Sequence, residues 1–191
     1  SDNITFNLDE YIEILKLFSV IIDIRSPFTK THTISVANIS KFIGEKFLSP
    51  YDAKILYMAG FMHDFGKLKT PLHILHKEGP LTQSEMNIMR KHVSETYKIF
   101  EDFEYLLEPL SVAVNHHERC DGSGYPFNLR DNDLSVKSKI LQISDIYVAL
   151  REDRPYRKGN TKEFALKEIE KNKNTQFDPV IVEIFLSIEK L

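Results

Sequence analysis

Two adjacent pairs of metal-binding residue types follow apolar stretches of the chain. His63 and Asp64 come directly after the apolar run 56–62, and His116 and His117 end a second apolar run. Because neighbouring residues on a helix point about 100° apart, both members of a pair can bind metal only if the site lies off the helix end or holds more than one ion. A two-metal site accounts for both pairs at once. For each pair alone, a polar ending of a helix stays open as the alternative.

Three further residues carry the same chemistry. Asp145 lies among apolar residues of a predicted helix, where an unpaired carboxylate is costly, so it needs a cation or a buried arginine as its partner. His32 and His92 lie at the edges of apolar stripes in two other predicted helices. A single helical histidine is more often a surface or hydrogen-bonded residue than a ligand, so neither indicates a metal by itself.

The residue types also indicate the metal and the reaction. Imidazole and carboxylate without thiolate disfavour a structural zinc site and suit iron, manganese or similar ions. Two such ions lower the pKa of a bridging water and stabilise the oxygens that enter and leave at phosphorus. The expected chemistry is therefore hydrolysis of a phosphoester.

The elements that must position these residues are helices. Apolar residues recur at spacings of three and four, while alternating strand patterns are nearly absent. Ser49 before Pro50 and Thr82 with Glu85 are typical of helix starts. We expect an all-α fold, a bundle of about seven or eight helices with a metal site in its core. The predicted helices span 8–25, 29–47, 50–64, 82–101, 105–117, 136–151, 161–172 and 178–190.

Two longer segments without periodicity, 65–81 and 118–135, each follow a histidine cluster. Both contain Gly and Pro, and loops of this length in a helical domain are usually functional. They are therefore expected to border the site.

Composition limits the class of protein. The 191 residues suit one domain, with 1–20 as a lead-in or connecting helix and 21–191 as the main unit. The net charge of −3 argues against a nucleic-acid polymer as partner, and 28% charged residues argue against membrane insertion. Because Cys120 is the only cysteine, a reducing compartment, the cytoplasm, is favoured.

The order of these histidines and aspartates resembles the HD phosphohydrolase superfamily. The segment 116–126, HHERCDGSGYP, resembles the HHExxDGxGYP signature of the HD-GYP family, and the segment 154–157, RPYR, is similar to a downstream element of that family. The resemblance runs from about residue 20 to Pro179, nearly the whole chain.

The resemblance implies an all-helical phosphodiesterase that hydrolyses cyclic di-GMP to linear pGpG or GMP through a metal-bridging hydroxide. It implies two divalent metal ions, iron or manganese. The implied metal ligands are His32, His63, Asp64, His92, His116, His117 and Asp145. Asp64 would be the bridging carboxylate and act in catalysis with Lys67. The implied substrate contacts are Lys67, Tyr125, Arg154 and Arg157. Solvated surface charge stays the alternative for the two arginines.

The chain departs from the family at positions that matter for the metal count. Phe28 stands where some members have a glutamate that binds a third metal, and Ser26 replaces a common aspartate. We therefore predict two metals. The alternatives are a receptor that binds cyclic di-GMP without cutting it and a hydrolase for another cyclic dinucleotide or nucleotide. A regulatory sensor domain or a homodimer is a further expectation from the family.

Overall fold

The computed structural model describes residues 7–25, 31–153 and 158–188. Within these ranges the chain is helical and forms no strand beyond two isolated bridges, so the all-α prediction is confirmed. The α-helices are α1 (Leu8–Arg25), α2 (His32–Phe47), α3 (Pro50–Met62), α4 (Leu72–Leu75), α5 (Gln83–Arg90), α6 (His92–Phe100), α7 (Leu107–Ala113), α8 (Val136–Arg151), α9 (Lys162–Lys171) and α10 (Pro179–Ile188). Short 3-10 helices span Phe65–Lys69, Glu104–Leu106 and Asp131–Asp133.

The helix starts indicated by the sequence form as expected. The hydroxyl of Ser49 accepts a hydrogen bond of 3.1 Å from the backbone N–H of Asp52, ahead of α3. Thr82 and Glu85 form a reciprocal capping box ahead of α5. Each cap satisfies backbone donors that the first helical turn leaves without an internal partner.

The prediction of one helix over 82–101 is wrong. The chain turns at Lys91, whose N–H bonds the carbonyl of Ile88, three residues back, at 3.2 Å. This tighter turn ends α5 and starts α6 at His92. No Gly or Pro marks the break, and α5 buries none of its residues whereas α6 buries four.

Three further boundaries differ from the expectation. α3 and α7 end at Met62 and Ala113, so both predicted polar pairs lie in the turns beyond their helices. The segment 65–81 contains a 3-10 helix and α4 and is not an irregular loop. α2 starts at His32, and residues 26–30 lie outside the described residues.

Close packing of α2 on α3 places two of the histidines at one end of the bundle. A Cβ atom at Gly60 would lie 2.5 Å from Cα of Ala37, and one at Gly44 would lie 3.0 Å from Cα of Ala53. These contacts make the pair antiparallel and leave no room for larger side chains. The start of α2 and the end of α3 therefore lie side by side.

The core is centred on α3 and α8, whose residues are mostly buried. α1, α2 and α7 pack on α3, and α9 and α10 pack on α8. Among the described residues, no helix combines the length and apolarity that a membrane span requires. The division into a lead-in at 1–20 and a main unit at 21–191 stays a prediction, and α1 runs through it without a break.

Candidate metal centre

The seven predicted ligands meet at one point of the bundle. His63 and Asp64 follow α3, His116 and His117 follow α7, and the other three come from the start of α2, the start of α6 and the middle of α8. Six of the seven are buried, and His117 is half-buried. The fold thus gathers residues separated by more than a hundred positions in the sequence.

One local arrangement orients three of the imidazoles. Nδ1 of His63, His92 and His116 lies 2.7, 2.8 and 2.6 Å from the backbone carbonyl three residues earlier. These carbonyls belong to the ends of α3, α5 and α7, where helical acceptors lack a partner. Because only a protonated Nδ1 can donate to a carbonyl, each neutral ring presents the lone pair of Nε2 to the centre.

The Nε2 atoms that face the centre carry lone pairs, and too few hydrogen-bond donors surround them. Nε2 of His92 lies 3.4 Å from Nε2 of His116, so two lone pairs face each other. Nε2 of His63 is buried and makes no hydrogen bond of good geometry with any residue that the structure describes. Lone pairs and carboxylates that converge in this way fit a cation, which is the group that would satisfy them all.

The candidate ligand atoms form three overlapping groups: two triads without Asp64, and a third group, His63, Asp64 and His116, that links them. His32, His63 and Asp145 form one triad whose ligand atoms lie within 4.8 Å of one another, and His92, His116 and His117 form a second triad that meets the same limit. The two triads share no residue. We refer to them as the His32 triad and the His92 triad.

Asp64 faces both triads with different oxygens. Its Oδ2 lies 3.3 Å from Nε2 of His63 and 3.9 Å from Nε2 of His32. Its Oδ1 lies 3.5 Å from Nε2 of His92 and 3.9 Å from Nε2 of His116. A carboxylate in this position can bridge two cations.

Asp145 pairs with His32, at 3.1 Å between Oδ1 and Nε2. The sequence left a buried arginine open as the partner of Asp145, but no arginine pairs with it among the described residues. Burial alone would raise the pKa of the Asp145 carboxyl, but the hydrogen bond from His32 holds it well below its usual range. Asp145 is therefore a carboxylate at neutral pH.

The electrostatics differ between the triads. Burial lowers the pKa of His92 to about 4 and that of His117 to about 3, and pushes that of His116 well below its ordinary value. Burial also acts to lower the pKa of His32, but hydrogen bonds to Asp145 and Glu152 outweigh it and raise the pKa to about 9. The His92 triad is therefore neutral and ready for a cation, whereas His32 holds a proton.

Two of the four predicted substrate contacts, Lys67 and Tyr125, are described, and both lie beside this centre. Nζ of Lys67 lies 2.5 Å from Oδ2 of Asp64, so its ammonium belongs to the centre itself. The ring of Tyr125 stacks on that of His117, with centroids 4.7 Å apart. Arg154 and Arg157, like Ser26 and Phe28, lie outside the described residues.

Sequence reasoning missed three residues that support the centre. Glu152 bonds Nδ1 of His32 at 2.9 Å, and the signal was its position seven residues after Asp145, on the same side of the helix. Thr96 accepts a hydrogen bond of 2.8 Å from the N–H of Gly66 and so fixes α6 against the turn after Asp64. No sequence signal singles out Thr96.

Glu118, the third missed residue, organises the loop after the histidine pair. It is fully buried, and its carboxylate accepts hydrogen bonds from the N–H groups of Phe127 at 2.6 Å and Leu129 at 2.9 Å. Gly124 passes so close that a Cβ atom there would lie 2.4 Å from Cα of Glu118. Glu118 stands in the signature segment, and its role there is to hold the loop.

Residues 16–181 match the family model described as HD domain. The chain belongs to the HD domain family. A solved HDG"Y"P protein from Bdellovibrio bacteriovorus has the same fold, with a TM-score of 0.71 at 16% identity. That match covers 97% of this chain and 65% of the other.

Two curated relatives resemble this HD domain more closely in sequence. The 3'3'-cGAMP-specific phosphodiesterase 1 of Vibrio cholerae is 36% identical over 78% of this chain and 35% of its own length. The cyclic di-GMP phosphodiesterase of Thermotoga maritima is 32% identical over 95% of this chain and 50% of its own. The chain thus spans between a third and a half of the length of these relatives.

Proposed function

We propose that this HD domain is a metal-dependent phosphodiesterase that hydrolyses a cyclic dinucleotide, with cyclic di-GMP as the leading substrate and linear pGpG or GMP as the product. The observation that carries the proposal is the position of Asp64 between two separate triads of buried ligand atoms. Two half-sites joined by one carboxylate suit in-line displacement at phosphorus assisted by two metal ions.

We propose that the His32 triad and the His92 triad each hold one divalent ion and that Asp64 contacts both. Iron and manganese suit the imidazole and carboxylate donors. When bound, the two ions supply the activation of water and the neutralisation of charge on the phosphate oxygens.

The remaining groups of the site act on the substrate. Lys67, held at Asp64, is close enough to the centre for its ammonium to stabilise negative charge that develops there. Tyr125 lines a pocket of about 300 Å³ that opens next to His116, His117 and Asp145, and this pocket is our candidate for the nucleotide. Substrate contacts by Arg154 and Arg157 stay a prediction.

The substrate class rests on the relatives, since they are named for cyclic di-GMP or for 3'3'-cGAMP. Both ligands are cyclic dinucleotides with two phosphodiesters and at least one guanine. We also propose a cytoplasmic location, which the single cysteine supports. Control of the domain by a sensor domain or by a second copy of the chain is a further proposal.

The decisive experiment measures metal and product together. The chain is stripped of metal, reloaded with Mn²⁺ or, without oxygen, Fe²⁺, and supplied with cyclic di-GMP or 3'3'-cGAMP. We expect two metal ions per chain by elemental analysis and linear or mononucleotide product by chromatography. His63→Ala and Asp64→Ala should lose product and metal while they keep the helical circular dichroism spectrum.

His73→Ala is the matched control, because His73 is exposed on α4 and lies outside both triads. Normal turnover by His63→Ala and Asp64→Ala would refute the mechanism. Tight binding of cyclic di-GMP by the loaded wild-type protein without any product would support the receptor alternative instead.

A further inference from the structure

The pocket beside the His92 triad has a second charged wall. His116, His117 and Asp145 line the side next to the metal centre. Arg90 and Arg119 line the same pocket, and neither was assigned a role from the sequence. The pocket thus joins a phosphate-cleaving centre to a pair of guanidinium groups.

Arg90 is held in place through an aromatic ring. Its guanidinium carbon lies 4.7 Å from the centroid of the Tyr125 ring, and that ring stacks on His117. A cation over an aromatic face is attracted by the ring quadrupole. Through Tyr125, the guanidinium of Arg90 is thus linked to His117 of the His92 triad, although it lies on a different helix.

Arg119 approaches the same pocket from the loop after the histidines. Its Nη1 lies 3.5 Å from the hydroxyl of Ser123, a neutral and weak contact. Across the described ranges, neither Arg119 nor Arg90 has a carboxylate oxygen within 4.0 Å. Arg119 does help to lower the pKa of the exposed Asp121 carboxyl, but neither guanidinium forms an ion pair within 4.0 Å among the described residues. Guanidinium groups in a pocket that are not closed off by an ion pair are suited to an anion.

We propose that Arg90 and Arg119 form a subsite for the second phosphodiester of a cyclic dinucleotide, the one that is not cleaved. This inference rests on the proposed function, since it assumes that the first phosphodiester lies at the two triads. A cyclic dinucleotide closes its ring with two phosphodiesters, so one bound at the metal centre carries the other to a point across the pocket. The chain has a net charge of −3, and a second phosphate there needs a local positive charge.

The test compares a ligand with two phosphodiesters and a ligand with one. Arg90→Gln and Arg119→Gln are assayed with cyclic di-GMP and with bis(p-nitrophenyl) phosphate, which has a single phosphodiester. Binding of the phosphorothioate analogue of cyclic di-GMP is measured by calorimetry. Lys91→Gln and Arg130→Gln are the matched controls, because these cations do not line the pocket.

We expect each arginine variant to raise both KM for cyclic di-GMP and Kd for the analogue by about tenfold, the loss of one charge-assisted contact. The KM for the single diester should shift less than about twofold, since that ligand does not reach the subsite. Metal content should equal that of the wild type.

Equal losses on both substrates, or no loss on cyclic di-GMP, would overturn the subsite. If the wild-type protein shows no turnover, the proposed function is wrong. The calorimetric Kd for the phosphorothioate analogue would still test whether the two arginines bind the second phosphodiester. Unchanged Kd in the variants, or no binding of the analogue to the wild type, would then count against it.

Discussion

Oε2 of Glu152 lies 2.9 Å from Nδ1 of His32, on the side of the ring away from Nε2, which faces Asp145. The other three imidazoles with a known Nδ1 partner bond backbone carbonyls. His32, at the start of α2, has a side-chain carboxylate as its Nδ1 partner instead. A carboxylate from the end of α8 takes that place.

Replacement of Glu152 should therefore weaken one half-site. Glu152→Ala is expected to lower metal affinity at the His32 triad by about 10–100-fold, as loss of the partner of a ligating histidine typically does. Glu152→Gln should lose less, since its amide oxygen still accepts a hydrogen bond. Competition with a chelator measures both affinities, and Glu170→Gln, on the exposed side of α9, is the control. Equal affinity in Glu152→Ala and wild type would contradict the assignment.

Metal binding should release a proton from the His32 triad only. In the metal-free protein the pKa of His32 is raised to about 9, so His32 is protonated at pH 7 and a cation must displace that proton. Affinity of this triad should rise about tenfold per pH unit up to about 9. The His92 triad should show no such slope above about pH 5, because the pKa values of His92 and His117 are about 4 and about 3. Calorimetry in buffers of different ionisation enthalpy counts the protons, and binding without proton release would disprove the assignment.

The same shift has a consequence for stability. Because the pKa of His32 is raised in the folded state, its protonation stabilises the metal-free protein. This contribution is complete below about pH 6.5, the ordinary pKa of histidine. That contribution is lost as the pH rises through about 9. Urea unfolding of the metal-free chain between pH 6 and 9 should show the decline, and His32→Gln should remove it.

Loss of the Glu118 carboxylate should release the loop after the histidine pair. Glu118→Ala leaves the N–H groups of Phe127 and Leu129 without their acceptor, at a cost of about 1–3 kcal/mol in the free energy of unfolding. Limited proteolysis should cut within 119–130 sooner than in the wild type. Asp133→Ala, which removes a cap at an exposed 3-10 helix, is the comparison. Resistance to protease equal to wild type would show that the loop is held by other contacts.

A side chain at Gly66 should separate α6 from the centre. The Cβ atom of Gly66→Ala would lie 1.9 Å from the carbonyl oxygen of His92, so α6 must shift. We expect a loss of about 1–3 kcal/mol in the free energy of unfolding, together with weaker metal binding at the His92 triad. Ser94→Ala, exposed on the same helix, should change neither quantity appreciably. Unaltered metal affinity in Gly66→Ala would refute this account of the packing.

Much of the fold follows from local pattern. α1 and α8 have the predicted bounds because their apolar spacing and terminal residues act within the helix itself. The break at Lys91 escaped prediction because no Gly or Pro marks it in the sequence, whereas in the fold only α6 packs on the turn after Asp64, through Thr96 and the N–H of Gly66. Local periodicity reports which side of a helix is buried but not what it is buried against.

The sequence by itself determined the types of ligand, their positions beside helix ends and the family signature. The tertiary structure alone decided that the candidate ligands gather as two triads around the two oxygens of Asp64, with His63, Asp64 and His116 as a linking group. It also decided that Glu152 supports His32 and that Arg90 faces the same pocket as His117. The physical reason is that such relations depend on which helices touch. That choice is made by contacts such as Gly60 against Ala37, whose closeness no single-helix pattern encodes.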